Sequence, residues 1–162
     1  MPAPSLQRSR QEPAIIQFAS VFLAGILAGE ELVVRYGVHP SLGRLDAALQ
    51  IRTRQALILK LRVLVPVVFL LTATASVATL IAEGTGTGFG LRCAAAAALL
   101  VWILSTLIGT VPINKAILDW TPDSPPSGWT ALITRWERLD VLRSSAAVVA
   151  FACLLLAITL QL

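Results

Sequence analysis

Residues 58–82 read ILKLRVLVPVVFLLTATASVATLIA, and this stretch decides the fold. After Arg62 no charged side chain follows until Glu83. A helix crosses the hydrocarbon core of a bilayer with about 20 largely apolar residues, and this run supplies them. Pro66 predicts a kink near its start. Three more stretches pass the same test: about Ala14 to Tyr36, about Leu91 to Val111, and about Ser144 to Leu162. The expected fold is all-α, an integral membrane four-helix bundle, antiparallel, with both termini on the same side. Residues 1–13 form a polar N-terminal segment, and residues 14–162 a single transmembrane domain.

The composition agrees. Of 162 residues, 56% are hydrophobic and 14% charged, with a mean hydropathy of +0.78. Soluble domains carry about 25% charged residues. Four spans and their connections use nearly the whole length, so no separate soluble catalytic domain is expected. The net charge of +4 and pI near 9.8 do not indicate nucleic acid. The thirteen Lys and Arg residues flank apolar runs and do not form one basic face. Cys93 and Cys153 each lie within an apolar run, without a Cys-x-x-Cys pair, and read as small packing residues. The first apolar run could be mistaken for a signal peptide. It contains Glu30 and Glu31 and lacks a small-x-small cleavage site, so it is expected to be a retained span.

The connections differ. Glu83 to Gly90 is a short glycine turn, without the Gly-Lys-Ser/Thr ending of a phosphate loop. Gly37 to Leu57 is longer and polar, with Leu42, Leu45, Leu49 and Arg52 at helical spacing. Pro112 to Arg143 holds a Pro- and Ser-rich loop at Thr121 to Gly128, then a helix start leading into the last span. Arg8, Arg10 and Arg92 fall on the side of the termini; the other ten Lys and Arg residues fall opposite. The positive-inside rule puts those ten in the cytoplasm. The expected location is a bacterial inner (plasma) membrane, with the lipid bilayer as principal partner and the polar end cytoplasmic.

Polar residues gather at that end. A charge inside a span costs about 2.5–3.5 kcal/mol on insertion scales, so each needs a reason. Glu31 can pair with Arg35 one turn on. Glu30 lies about 100° round the helix and needs another partner: facing the bundle, it can meet an arginine of the following segment or act as a base. His39 is the sole histidine, followed by Pro40. It reads as a loop residue or cap, or as a proton acceptor near neutrality. One histidine without a His-x-x-x-His or Glu-x-x-His partner does not make a metal site, so no metal is expected. Arg52, Gln55, Leu59 and Arg62 share a helical stripe, facing either anionic lipid or the bundle. Asn114 follows Pro112 and can bond backbone or ligand. Trp136, Asp140 and Arg143 share a face, and Asp140 can pair with Arg143.

Several of these residues carry a resemblance. The first span ending at Gly29-Glu30, then Val38-His39-Pro40, Val111-Pro112-Ile113-Asn114, and Trp136 followed by Arg143 resemble the anthrone oxygenase-like small membrane proteins. The likeness runs from about Phe18 to the C-terminus. Where that family commonly has histidine, this chain has Asp140. The resemblance implies a cofactor-free oxidation, with dioxygen, of a small aromatic, anthrone- or quinone-like compound. On it, Glu30 or His39 would be the base, and Arg143 and Arg52 would stabilise the oxyanion. Asn114 would orient the substrate and Trp136 would stack on it, beside Asp140. The alternative is a non-catalytic membrane subunit or stability factor of a larger assembly, or a homo-oligomer. A small transporter is disfavoured, because three nearly clean outer halves offer no charged path across. The first two readings separate on whether the polar residues enclose a pocket.

Overall fold

A computed structural model of the chain describes residues 4–161, with side chains from residue 13 onward. The side chains of Arg8 and Arg10 fall outside that range. Among the described residues every element is helical: α1 (Pro4–Val33), α2 (His39–Leu42), α3 (Ala47–Glu83), α4 (Phe89–Ser105), α5 (Val111–Leu118) and α6 (Trp129–Thr159). Five-residue π-helical segments, Val34–Val38 and Thr106–Thr110, join α1 to α2 and α4 to α5. The chain therefore has four helical spans: Pro13–Leu42, Ala47–Glu83, Phe89–Leu118 and Trp129–Thr159. Each is long and apolar enough to cross a bilayer, and the chain is an integral membrane protein.

The spans are longer than hydropathy alone indicates, and the polar connections correspondingly shorter. The first helical path continues past Tyr36 to Leu42, so His39 and Pro40 are helical and not in a loop. A new helix starts at Ala47, where Asp46 Oδ1 accepts from the Leu49 amide at 2.9 Å as an N-cap. The break at Gly43 to Asp46 takes Leu42 and Leu45 off the helix that carries Leu49 and Arg52, so the expected shared face does not form. From Ala47 the helix runs through Pro66 to Glu83. The third path likewise continues through Pro112 to Leu118. A proline removes one backbone donor and crowds the preceding turn. Both Pro40 and Pro112 follow a π-helical segment by two residues, and the wider π turn accommodates the ring.

Packing follows the distribution of small residues. Ala24, Ala28, Ala95, Ala147 and Ala150 are buried and let the helices approach closely around Leu27, Leu99 and Trp102. In lipid such close packing replaces the missing hydrophobic drive between helices. A hydroxyl contact between Ser20 and Ser76 (3.3 Å) links spans one and two in this core. At one end Gln161 accepts from Gln17 at 2.9 Å and donates to Glu83 at 3.2 Å and to the Thr87 carbonyl at 3.3 Å. At the other end Gln55 donates to the Ile117 and Trp120 carbonyls, both at 2.9 Å, satisfying groups left open where α5 ends.

Two glycines are set by geometry. Gly88 has φ +81°, and a Cβ there would lie 3.1 Å from the Ala157 carbonyl oxygen. Gly109 lies in the second π-helical segment, and a Cβ would meet Leu139 Cδ1 at 2.6 Å. Gly109→Ala is expected to lower stability by about 1–3 kcal/mol through overpacking of span three on span four. Thermal unfolding in mild detergent measures this. An unchanged midpoint would show that Leu139 is free to move aside.

Candidate functional site

The four spans enclose a cavity of about 610 Å³ near the polar end. Its polar wall comes from Glu30 and Glu31 on span one, Arg54 on span two, Asn114 on span three, and Trp136, Asp140 and Arg143 on span four. Glu31, Arg54, Asp140 and Arg143 are buried, and Glu30, Asn114 and Trp136 are half-buried. The rest of the lining is largely apolar, including Val65, Phe69, Leu70, Ile103, Leu107 and Val111, with Arg62, Trp102, Thr106, Thr110 and Lys115 among it.

At the base of the cavity Glu31 is 1% exposed. Its Oε1 accepts from Trp102 Nε1 at 2.8 Å and forms a buried ion pair with Arg143. The Arg143 guanidinium lies 4.8 Å from the Trp102 ring centre, and Phe69 stacks on the same indole at 4.5 Å and 11°. Glu31, Trp102, Phe69 and Arg143 thus join all four spans in one contact group. This differs from both pairings expected from spacing. Arg35 does not meet Glu31 but donates to Ser144 at 3.2 Å, with Ser145 at 3.4 Å. Asp140 does not pair with Arg143; its Oδ2 lies 3.8 Å from His39 Nε2. The reason is tertiary: Glu31 faces the interior, where span four supplies a buried cation, while Arg35 lies further along the helix toward the two serines.

Asn114 Oδ1 accepts from Trp136 Nε1 at 2.9 Å, which leaves the amide nitrogen as a donor at the cavity. Arg54 reaches Glu137 at 3.2 Å and lies 5.3 Å from the Trp136 ring centre. His39 packs against the same indole with ring centres 4.5 Å apart. His39 does not line the cavity; it sits beside Trp136 and Asp140. Several buried polar atoms have no hydrogen-bond partner among the described residues: Glu30 Oε2, Glu31 Oε2, both Asp140 oxygens, the Nε atoms of Arg54 and Arg143, and the Thr110 hydroxyl. Each of these belongs to a cavity-lining residue. The others are His39 Nε2, beside Asp140, and two nitrogens of Arg92 near the glycine turn. Unsatisfied buried polar groups are costly, and their concentration among the residues around one cavity sets this end of the bundle apart. No group of three His, Cys, Asp or Glu side chains is arranged for a metal among the described residues.

The cavity collects Glu30, Asn114, Trp136, Asp140 and Arg143 from the sequence candidates, and leaves out His39 and Arg52. Arg52 lies outside, in an exposed pair with Asp123 at 2.8 Å. It is two residues from Arg54, roughly 200° round a helix, so only one of them can face inward. Sequence reasoning passed over Glu31, Arg54, Trp102 and Thr110. Two signals pointed toward them. A tryptophan in the middle of span three, away from any interfacial belt, needs a buried acceptor. The spacing Gly-x-x-Pro also occurs twice, at Gly37 to Pro40 and Gly109 to Pro112, each time at a π-helical segment. Val34, Val38, Thr106 and Thr110 from those segments line the cavity, and such π bulges frequently occur at functional sites.

Fold and site together define a small membrane protein of four helical spans around a partly polar internal cavity. The family model described as Anthrone oxygenase matches residues 56–153, more than half of the chain, and the chain belongs to that family. The match includes Asn114, Trp136, Asp140 and Arg143; Glu30, Glu31, His39 and Arg54 precede it. No curated protein and no solved structure gives a match.

The ion pair at the cavity base has a thermodynamic signature. Arg143→Met alone leaves a buried carboxylate without its cation and is expected to cost about 3–5 kcal/mol. The double variant Glu31→Leu, Arg143→Met removes both charges and should recover most of that loss. Unfolding in detergent compares the two; a double variant as unstable as the sum of the single variants would contradict the pairing.

Proposed function

We propose that this protein is a membrane-embedded oxygenase-like enzyme that oxidises a small, flat aromatic, anthrone- or quinol-like compound with dioxygen, without metal or flavin. The observation that carries this reading is the cavity, with apolar walls for a ring system and charged and polar side chains in its lining. A polar cluster that borders a cavity, and does not face solvent or neighbouring proteins, supports this reading over a non-catalytic subunit. The family membership points the same way.

The chemistry follows from the atoms available. An anthrone has an acidic methylene opposite its carbonyl. On this reading the Glu30 carboxylate takes one methylene proton, and the resulting anion places its charge on the former carbonyl oxygen. The guanidinium groups of Arg54 and Arg143 and the Asn114 amide stabilise that oxygen, in a water-poor site where preorganised donors act most strongly. The carbanion carbon transfers its electrons to dioxygen and forms a C–O bond, and the protonated Glu30 returns its proton to make the hydroperoxide. Loss of the second methylene hydrogen with cleavage of the O–O bond yields the quinone and one water. Anthrone plus dioxygen therefore balances to anthraquinone plus water. His39, outside the cavity lining, holds Asp140 and Trp136 in place and is not the base.

The purified protein is expected to accelerate anthrone oxidation over protein-free detergent, a necessary control because anthrones oxidise spontaneously. Glu30→Gln should lower the rate by about 10²–10⁴-fold, the usual contribution of a positioned base. His39→Ala should retain most of the rate. A folded Glu30→Gln protein as fast as wild type would remove Glu30 from the mechanism. Wild type no faster than detergent would remove this substrate class.

We also propose that the bundle is antiparallel, with the cavity end cytoplasmic in a plasma membrane. The Gln161 and Gln55 contacts support the arrangement. Seven exposed cations, including Arg44, Arg62, Lys115 and Arg138, support the orientation. With Cys93 and Cys153 replaced by alanine, a membrane-impermeant thiol reagent is expected to label cysteines introduced at Leu45 and Ser124 from one face and at Thr87 from the other. Labelling of positions 45 and 124 from opposite faces would reject the topology.

A further inference from the structure

The cavity is not closed on all sides. Five of its lining residues are exposed: Arg62, Pro66 and Leu70 on span two, and Leu107 and Lys115 on span three. Leu70 is 61% and Leu107 57% exposed. Arg62 and Leu70 are eight residues apart, as are Lys115 and Leu107, so each pair spans about 12 Å along its helix. The two edges therefore match: a cation at the polar end of each and a leucine deeper in the span. Both leucines lie well inside membrane-spanning helices, so the opening faces acyl chains and not water. Val65, Phe69 and Ile103 line the cavity on the same two spans as these exposed residues, which border a lipid-facing slot.

Polar atoms on one side and a lateral apolar exit on the other suit an amphiphile. A tricyclic head uses the polar wall but not the slot. We propose that the ligand of this cavity is an aromatic amphiphile: a flat phenol-, quinol- or anthrone-type head against Glu30, Arg54 and Arg143, and an aliphatic chain leaving the bundle between Leu70 and Leu107 into the bilayer. The inference rests on the head-group reading given under the proposed function and adds the chain and its path. It also means that substrate arrives and product departs through the membrane. Arg62 and Lys115 at the polar end of the slot then lie where a lipid-dissolved phenolate or quinone oxygen first meets positive charge.

Two quinone probes separate the head from the chain: 2,3-dimethyl-1,4-naphthoquinone, and its analogue with a decyl group in place of one methyl. Quenching of tryptophan fluorescence in detergent reports binding, since Trp102 and Trp136 line the cavity. Dissociation constants are expressed as mole fraction in the micelle, which removes the decyl chain's own partitioning. Wild type is expected to bind both probes within about threefold of each other, because the slot and the micelle are equally apolar. Leu70→Phe with Leu107→Phe should weaken the decyl probe by about tenfold or more relative to the dimethyl probe by filling the slot. Leu107→Phe alone serves if the double variant does not fold. Wild type that binds the dimethyl probe but rejects the decyl probe would overturn the exit between spans two and three while sparing the head-group site. Phenylalanine variants that bind both probes like wild type would overturn that exit as well. Failure of folded wild type to bind either probe would overturn the head-group reading, and this inference with it.

Discussion

The arrangement depends on one buried carboxylate. Glu31 lies inside a membrane bundle, where an unpaired charge is among the most costly groups a helix can carry. Its partners come from two other spans: the Arg143 guanidinium and the Trp102 indole N–H. Arg143 in turn lies against the Trp102 ring, and Phe69 covers the indole from span two. Hydrophobic burial gives little help in choosing one helix register over another in lipid, because acyl chains are as apolar as leucine. A charge that is satisfied in only one arrangement does give that choice. The Glu31 group therefore acts as a register lock at the base of the cavity.

Above this lock the helices must separate to leave a cavity and still remain hydrogen-bonded. The two π-helical segments meet both demands. Each ends two residues before a proline, so that the missing amide and the ring are accommodated in a wider turn. Each turns side chains of its own span into the cavity. Gly109 lets Leu139 approach the second segment closely, while the alanine-rich half below keeps the spans tight. Close packing at one end and a widened, proline-limited half at the other give the bundle its asymmetry.

The choice between an enzyme and a passive subunit turns on how polar groups are used. In a structural subunit, buried charges are expected to satisfy one another. Here Glu31 and Arg143 do so only in part, and Glu30, Asp140 and Thr110 keep atoms without partners among the described residues. Concentrating such atoms around one cavity has a cost in stability. The depth of the slot between spans two and three is consistent with a ligand that dissolves in the same membrane as the protein.

The membrane class and the number of spans were legible from the chain alone, because a run such as Val63 to Ala82 has no other stable environment. So was the gathering of polar residues at one end, where Glu30, Asn114, Trp136, Asp140 and Arg143 come to line one cavity. Each of those lies in a position that local spacing makes conspicuous. Local spacing misled for pairing. Glu31 and Arg35, and Asp140 and Arg143, are at helical distances from each other, yet each charge found a different environment once the spans came together. Helix rotation decides between Arg52 and Arg54, and a stripe drawn on one helix does not show which side its neighbours occupy. The helices also run past the span ends that hydropathy indicates, because π-helical turns carry them through Pro40 and Pro112. Hydropathy along the chain determines what enters the bilayer; only the packing of four spans against one another determines which charges meet and where a cavity is left.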